Sequence, residues 1–224
     1  MKNKNQAVIF DMDGVICHTN PAHTKAYQRF LAKRGLYPTE EDFVQHMYGK
    51  NNRYILTHFL EREIGEDEFI TLENEKEELF REIYAGEIAP IDGFLEFLDE
   101  IKVAGFKTGV ATSAPYSNLH LIMEDLGFES KMESMLASEN VSKHKPDPEV
   151  YLKSAKNLGV PVENCVVFED SYSGVSAAIN AGMKVVGVLS SHTKEELPPC
   201  QLYIKDYKEL TARHIEEILS QVSV

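Results

Sequence analysis

Downstream of Pro90 the chain repeats one pattern, a short apolar run rich in β-branched residues followed by a stretch with helical periodicity. Phe94, Leu95, Leu98 and Ile101 share one helical face that Gly105 closes, and residues 107–112 (KTGVAT) read as a strand. The alternation continues with a helix over 119–126, a strand over 135–138, a helix over 148–158, a strand over 165–168, a helix over 173–181 and a strand over 185–189. Parallel strands can be joined only by crossovers, and helical crossovers cover both faces of the sheet. The run Ala7-Val8-Ile9-Phe10 has the length and composition of one more buried strand. The expected fold is therefore α/β, a doubly wound parallel sheet whose first strand is separated from the rest by a helical insertion.

That insertion reads as helical throughout. Ala22, Ala26, Tyr27, Phe30 and Leu31 fall on one face, Gly35 ends their helix, and Thr39 followed by Glu40, Glu41 and Asp42 has the signature of a new helix start. Residues 61–87 are dense in glutamate and read as a solvated helix face. The expected domains are a core over 1–17 and 89–224 and an inserted helical domain over 18–88.

The formal net charge of −13 disfavours nucleic acid and anionic membranes as partners, because both would be repelled at long range. An anionic substrate would need local positive charge. Cys17, Cys165 and Cys200 form no C-x-x-C pair, which suggests neither a disulfide framework nor a zinc knuckle. The apolar run after the N-terminal lysines is too short for a signal-peptide core, and no stretch approaches membrane-spanning length. A cytoplasmic, monomeric protein is expected.

Ligands of open parallel sheets gather beyond the carboxyl ends of the strands. Just past the expected strands stand Asp11, Asp13 and Gly14, then Ser113, then Lys143, His144 and Lys145, then Glu169 and Asp170. Carboxylates from two strands, Asp11 with Asp170 and Glu169, make a hard oxygen site suited to Mg²⁺. A lysine and the Ser113 hydroxyl would neutralise and bind phosphoryl oxygens. An aspartate aimed at phosphorus can act as nucleophile, and Asp13, swung round by Gly14, can protonate the leaving oxygen. Each feature alone has a plainer reading: Asp-x-Asp-Gly as a turn, Ser113 as a helix cap, Lys145 as a solvated lysine. Their conjunction at successive strand ends favours chemistry. No H-x-x-x-H pair, G-x-G-x-x-G or P-loop is present, which disfavours zinc, dinucleotides and P-loop nucleotide binding.

The segments FDMDGVI, ATSAP, KHKPDPEVY and VFEDSYSGVSAAINAG resemble the four motifs of the haloacid dehalogenase superfamily, in its β-phosphoglucomutase-like phosphatase branch. The likeness covers nearly the whole chain. It implies Asp11 as nucleophile, Asp13 as general acid and base, Ser113 and Lys145 as phosphate binders, and Mg²⁺ held by Asp11, the backbone carbonyl of Asp13, Glu169 and Asp170. It also implies that residues 18–88 form a helical cap that closes over the site and excludes water. Tyr48-Gly49-Lys50-Asn51-Asn52-Arg53 resembles the family's cap specificity loop, and Thr19 and His23 match positions near the active site of mutase relatives. Lys50, Asn52, Arg53, Thr19 and His23 are accordingly the cap candidates for substrate contact.

The expected activity is Mg²⁺-dependent hydrolysis of a small phosphate monoester, such as a sugar phosphate, through an aspartyl phosphate. A hexose phosphate mutase is the alternative. The mutase pattern carries an arginine three residues after the loop glycine, where this chain has Asn52 between Lys50 and Arg53, a departure that weakens the mutase reading. A receiver-type phospho-acceptor switch would also combine acids, Ser/Thr, Lys and Mg²⁺. Its acceptor, however, ends a middle strand, and it lacks both the helical insertion and the second acid.

Overall fold

The computed structural model describes residues 3, 5–47 and 50–221. In chain order its elements are β1 (Ala7–Phe10), α1 (Asn20–Ala32), α2 (Glu40–His46), α3 (Asn52–Leu60), α4 (Glu66–Tyr84), α5 (Phe94–Ala104), β2 (Lys107–Ala111), α6 (Tyr116–Leu126), β3 (Ser134–Leu136), α7 (Glu149–Leu158), β4 (Cys165–Glu169), α8 (Tyr172–Asn180), β5 (Lys184–Val188), β6 (Leu202–Ile204) and α9 (Ala212–Ser220). Contacts divide the chain into two compact units, Met1–His18 with Ala89–Val224, and Thr19–Ile88.

The first unit is built on a six-stranded sheet in the order β3-β2-β1-β4-β5-β6, with every pairing parallel. All four residues of β1 are fully buried, as an uninterrupted apolar strand requires of both its faces. Ala7 and Ile9 join one core with Val150 and Tyr151 of α7 and Val175 and Ala178 of α8. Phe10 points to the opposite face, where its ring lies 5.3 Å from Phe94 of α5 and 5.1 Å from Phe168 of β4. Tyr207 completes this aromatic cluster at 5.5 Å from both Phe94 and Phe97. Burying one such ring contributes roughly 1.5–3 kcal/mol.

Two elements at the end of the chain were not anticipated. The edge strand β6 is three half-buried residues, too short for a period-two signal. α9 follows, with Ala212, Ile215 and Ile218 buried. Its last carbonyls, which no intrahelical donor reaches, are served from the sheet. The Lys184 ammonium donates to the carbonyls of Ile218, Leu219 and Gln221 at 2.9, 2.8 and 2.7 Å. A cation at this end also opposes the helix dipole.

In the second unit, Tyr27, Phe30 and Leu31 of α1 pack with Phe43, Ile55, Leu56 and Leu72. α2 starts where Thr39 marks it, through reciprocal bonds: the Asp42 amide donates to Thr39 Oγ1 at 3.2 Å and the Thr39 amide to Asp42 Oδ2 at 2.7 Å. The glutamate-dense stretch presents most of its glutamates to solvent, as expected, but two of its charged residues turn inward. Lys76 and Glu77 of α4 are 1% and 2% exposed. Lys76 lies four residues from both Leu72 and Phe80, on the stripe that the helix buries, so composition pointed outward where periodicity pointed inward.

Replacing Lys184 by Met keeps the apolar stem and removes all three bonds to α9. The variant is expected to lose about 1–3 kcal/mol in urea denaturation, with faster amide exchange in α9.

Candidate active site

The parallel register aligns Phe10 with Val110 on one side and with Phe168 on the other. Asp11, Ala111 and Glu169 therefore stand level at the carboxyl end of the sheet, with Asp13, Ser113 and Asp170 just beyond. The Asp11 amide donates to the Phe168 carbonyl at 3.0 Å, which carries the pairing one residue past β1. The chain then turns tightly, the Gly14 amide donating to the Cys17 carbonyl at 2.8 Å. Gly14 has a φ of 73°, and a Cβ there would sit 2.0 Å from Asp170 Oδ2, so both conformation and space demand glycine.

Lys145 is the hub of the cluster. Its ammonium donates to Asp11 Oδ1 and Glu169 Oε1, both at 2.6 Å, and to the Ala111 carbonyl at 3.1 Å. It also lies 4.9 Å from the centre of the Tyr151 ring. Burial by itself would lower the lysine pKa, but Asp11 and Glu169 outweigh it and hold it well above the ordinary value. Lys145 is a fixed cation. Glu169 is the best-anchored acid: Oε1 also accepts from the Tyr151 hydroxyl at 2.7 Å, and Oε2 accepts from the amides of Asp170 and Ser171 and the Ser171 hydroxyl at 3.0, 3.2 and 3.1 Å. A Cβ on Gly174 would lie 1.7 Å from Glu169 Oε1, so the first turn of α8 needs a glycine against that carboxylate.

Asp11, Glu169 and Asp170 offer carboxylate oxygens within 4.8 Å of one another. Burial, then the charges of Glu169 and Asp13, push Asp11 up to about 8 despite Lys145. Burial, Glu169 and Asp11 raise Asp170 well above the carboxylate range. The donor set is hard oxygen whose full ionisation would carry more negative charge than Lys145 compensates, which is the chemistry a divalent cation such as Mg²⁺ fits.

Ser113 follows β2 in the turn before α6, where the Ala114 amide donates to Thr112 Oγ1 at 3.0 Å. Lys145 sits on an exposed loop stapled to α7 by Glu149. That carboxylate accepts from the Ser142 and Lys143 amides at 3.1 and 2.8 Å and from the Ser142 hydroxyl at 2.7 Å, and pairs with Lys153 at 2.6 Å.

The candidates in the helical unit fall into separate settings. Asn52 accepts from the Tyr27 hydroxyl at 2.6 Å and donates to Glu73 and Glu77 at 3.0 and 2.7 Å. Glu77 pairs with Lys76 at 2.7 Å, and Lys76 reaches His23 Nδ1 at 2.9 Å. His23 and Asn52 are thereby joined in one polar cluster. Arg53 is engaged elsewhere, by Glu66, by the Ile64 carbonyl at 3.3 Å and over the Phe69 ring at 4.0 Å. Lys50 is exposed, 5.7 Å from the Tyr54 ring centre. Thr19 is fully buried at the start of α1. Tyr48 and Gly49 of the expected specificity loop lie outside the described residues.

Sequence reasoning passed over Tyr151, Glu149, Ser171 and the turn at residues 190–192 in the core, and Lys76, Glu77 and Glu73 in the helical unit. Tyr151 and Glu149 lay inside a motif already noticed, KHKPDPEVY, and a buried tyrosine on α7 needs a partner for its hydroxyl. Ser171 lies inside VFEDSYSGVSAAINAG and bonds Glu169 two residues away, whereas the remainder act through contacts distant in sequence.

The family pattern of the haloacid dehalogenase-like hydrolases matches residues 8–188. A phosphorylated carbohydrates phosphatase of Thermotoga maritima is 35% identical over 190 residues, 83% of this chain and 86% of the relative. A solved haloacid dehalogenase hydrolase of family IA, variant 3, from Entamoeba histolytica superposes with a TM-score of 0.89 at 27% identity, covering 96% of this chain and all of that one. β-Phosphoglucomutase from Clostridium difficile superposes with a TM-score of 0.85 at 26% identity, covering 96% of each chain. This chain belongs to the haloacid dehalogenase-like hydrolase family. Within it, the chain falls in the β-phosphoglucomutase-like branch. Among the described residues no helix is long and apolar enough to cross a membrane.

The Glu149 staple has a pH signature. Bonds from Lys153, Ser142 and Lys143 lower its pKa from the ordinary 4.5 to about 2. The stabilisation is complete above 4.5 and declines as pH falls towards 2, where the folded carboxyl takes up its proton. In acid titrations followed by circular dichroism, Glu149→Gln is expected to start less stable and to lose the part of the slope in that window that wild type shows.

Proposed function

We propose that the chain is a Mg²⁺-dependent phosphatase of a small phosphorylated sugar, working through a phosphoryl group transferred to Asp11. The observation that carries this reading is the bonding of one buried lysine to Asp11 and Glu169, with Asp170 alongside, at adjacent strand ends. Asp11, Asp170 and the backbone carbonyl of Asp13 would hold the cation, with Glu169 beside them. When bound, Mg²⁺ supplies positive charge that lets an ionised carboxylate and a phosphate approach each other.

The remaining work falls to the chain's own residues. Lys145 favours the ionised form of Asp11 against the burial that raises its proton affinity, and stabilises the equatorial phosphoryl oxygens, to which the Ser113 hydroxyl donates. An Asp11 oxygen forms a bond to phosphorus as the ester P–O bond breaks, and Asp13 gives its proton to the departing alkoxide. In the second half a water attacks the same phosphorus, Asp13 takes the water's proton, and the bond to Asp11 breaks to return the carboxylate. Inorganic phosphate leaves.

The choice of hydrolysis over mutase chemistry is supported by the helical unit. A mutase must grip the second phosphate of a bisphosphate. Asn52 stands where the mutase pattern has arginine, and its amide is bound by Glu73 and Glu77, so the cluster with Lys76 carries two carboxylates against one ammonium. That environment disfavours a second phosphate. The Thermotoga relative, a phosphatase of phosphorylated carbohydrates, accords with the same reading.

The test is a phosphate-release screen over sugar phosphates, nucleotides and pyrophosphate, with sugar products checked for isomerisation. Release should be greatest for sugar monophosphates, should vanish in chelator and return with Mg²⁺, and should fall to background in Asp11→Asn with the fold intact. Isomerised product with activation by a sugar bisphosphate would establish the mutase instead.

Asp13 is separable from Asp11 by leaving group. Asp13→Asn should slow sugar phosphate hydrolysis by about 10²–10⁴-fold, because a basic alkoxide needs the proton. With an aryl phosphate, whose phenolate leaves unaided, the variant should show a burst of phenol followed by slow turnover as phosphorylated Asp11 accumulates. Equal losses on both substrates without a burst, in a folded variant, would remove Asp13 from the mechanism.

A further inference from the structure

Asp170 is held from the far side by a turn that no sequence motif singled out. Three consecutive residues after β5 take part. The Ser191 hydroxyl donates to Asp170 Oδ2, and the His192 Nδ1–H donates to the Asp170 carbonyl at 3.0 Å. Ser190 donates to the Gly14 carbonyl at 2.5 Å and lies 3.5 Å from Asp170 Oδ2. The same turn therefore binds the loop that follows β1, with Asp11 and Asp13, and the loop that follows β4, with Asp170. The Asp170 carboxylate is wedged between them: a Cβ on Gly14 would be 2.0 Å from Asp170 Oδ2 and 2.9 Å from Ser190 Oγ. With 5% of its surface exposed, Asp170 has little room to rotate once the Ser191 bond is made.

We propose that Ser191 is a positioning residue for Asp170 and thereby sets the affinity of the site for its divalent cation. The inference rests on the reading of Asp11 and Asp170 as cation-binding carboxylates. Its physical basis is that a carboxylate oriented before binding loses less freedom when it takes up an ion, and that hydrogen bonds to a ligating group commonly govern affinity by 10–100-fold. Ser190 and His192 hold the backbone around this bond, whereas Ser191 acts on the carboxylate itself.

The experiment is isothermal titration of the full-length chain with Mg²⁺ at 25 °C, on wild type, Ser191→Ala, Ser191→Thr and Asp170→Asn, with the melting temperature of each recorded without metal. Ser191→Ala should weaken Mg²⁺ by about tenfold and Ser191→Thr, which keeps the hydroxyl, should stay within about twofold of wild type. The Mg²⁺ concentration for half-maximal activity should rise in parallel for Ser191→Ala while kcat at saturating Mg²⁺ recovers. Wild-type Mg²⁺ affinity in Ser191→Ala, beside lost binding in Asp170→Asn, would overturn the positioning role and leave the cation site standing. Loss of melting temperature with unchanged affinity would make Ser191 merely structural and also overturn it. Absence of Mg²⁺ binding in wild type, or full binding in Asp170→Asn, would overturn the cation site and the inference together.

Discussion

The first unit is organised around an electrostatic conflict. Asp11, Glu169 and Asp170 offer oxygens within 4.8 Å of each other, and Asp13 adds its charge from two residues beyond Asp11. Two ionised carboxylates at that spacing repel by roughly 3–4 kcal/mol in an environment of intermediate dielectric. Lys145 relieves part of this by bonding two of the acids at 2.6 Å, while burial, with the remaining repulsion added to it, raises the proton affinity of Asp11 and Asp170. A core of fully buried apolar strands supplies the rigidity that keeps such a cluster from relaxing apart. Stored repulsion of this kind is what makes a site receptive to a cation and then to an anion.

The surrounding contacts show how the conflict is held in place. Glu169 is bonded through both oxygens and abuts Gly174, so it serves as the fixed reference against which Lys145 is set. Glu149 fixes the loop from which Lys145 reaches inward, and the turn at residues 190–192 fixes Asp170 from the next strand. None of these groups needs to meet substrate. Their common effect is to convert flexible side chains on exposed loops into a preorganised set.

The helical unit answers a different electrostatic question. Lys76 and Glu77 are buried together, Lys76 reaching His23 and Glu77 accepting from Asn52, which in turn bonds Tyr27 and Glu73. A buried ion pair is weak support for stability, because desolvation cancels much of its attraction. Its persistence inside an otherwise apolar packing of Tyr27, Phe80 and Leu72 is better understood as fixing where polar groups stand.

Much of this was legible in the residues themselves. Apolar runs of strand length alternating with helical periodicity determine a parallel α/β sheet, since no other arrangement buries such strands on both faces. Given that sheet, Asp11, Glu169 and Asp170 gather at its carboxyl edge with Lys145 bonded among them, and Ser113 follows β2 at the same edge. Thr39 and Asp42 marked their own helix start because capping is a local interaction. What tertiary structure alone decided was pairing across long separations: Lys184 on the end of α9, 34 residues and more away, Ser190 on Gly14, 176 residues away, and Ser191 on Asp170. It also turned Lys76 and Glu77 inward against the bias of their composition. A hydroxyl or an ammonium carries no local pattern that names its partner. Strand order and register assign one, and those are properties of the whole packed sheet.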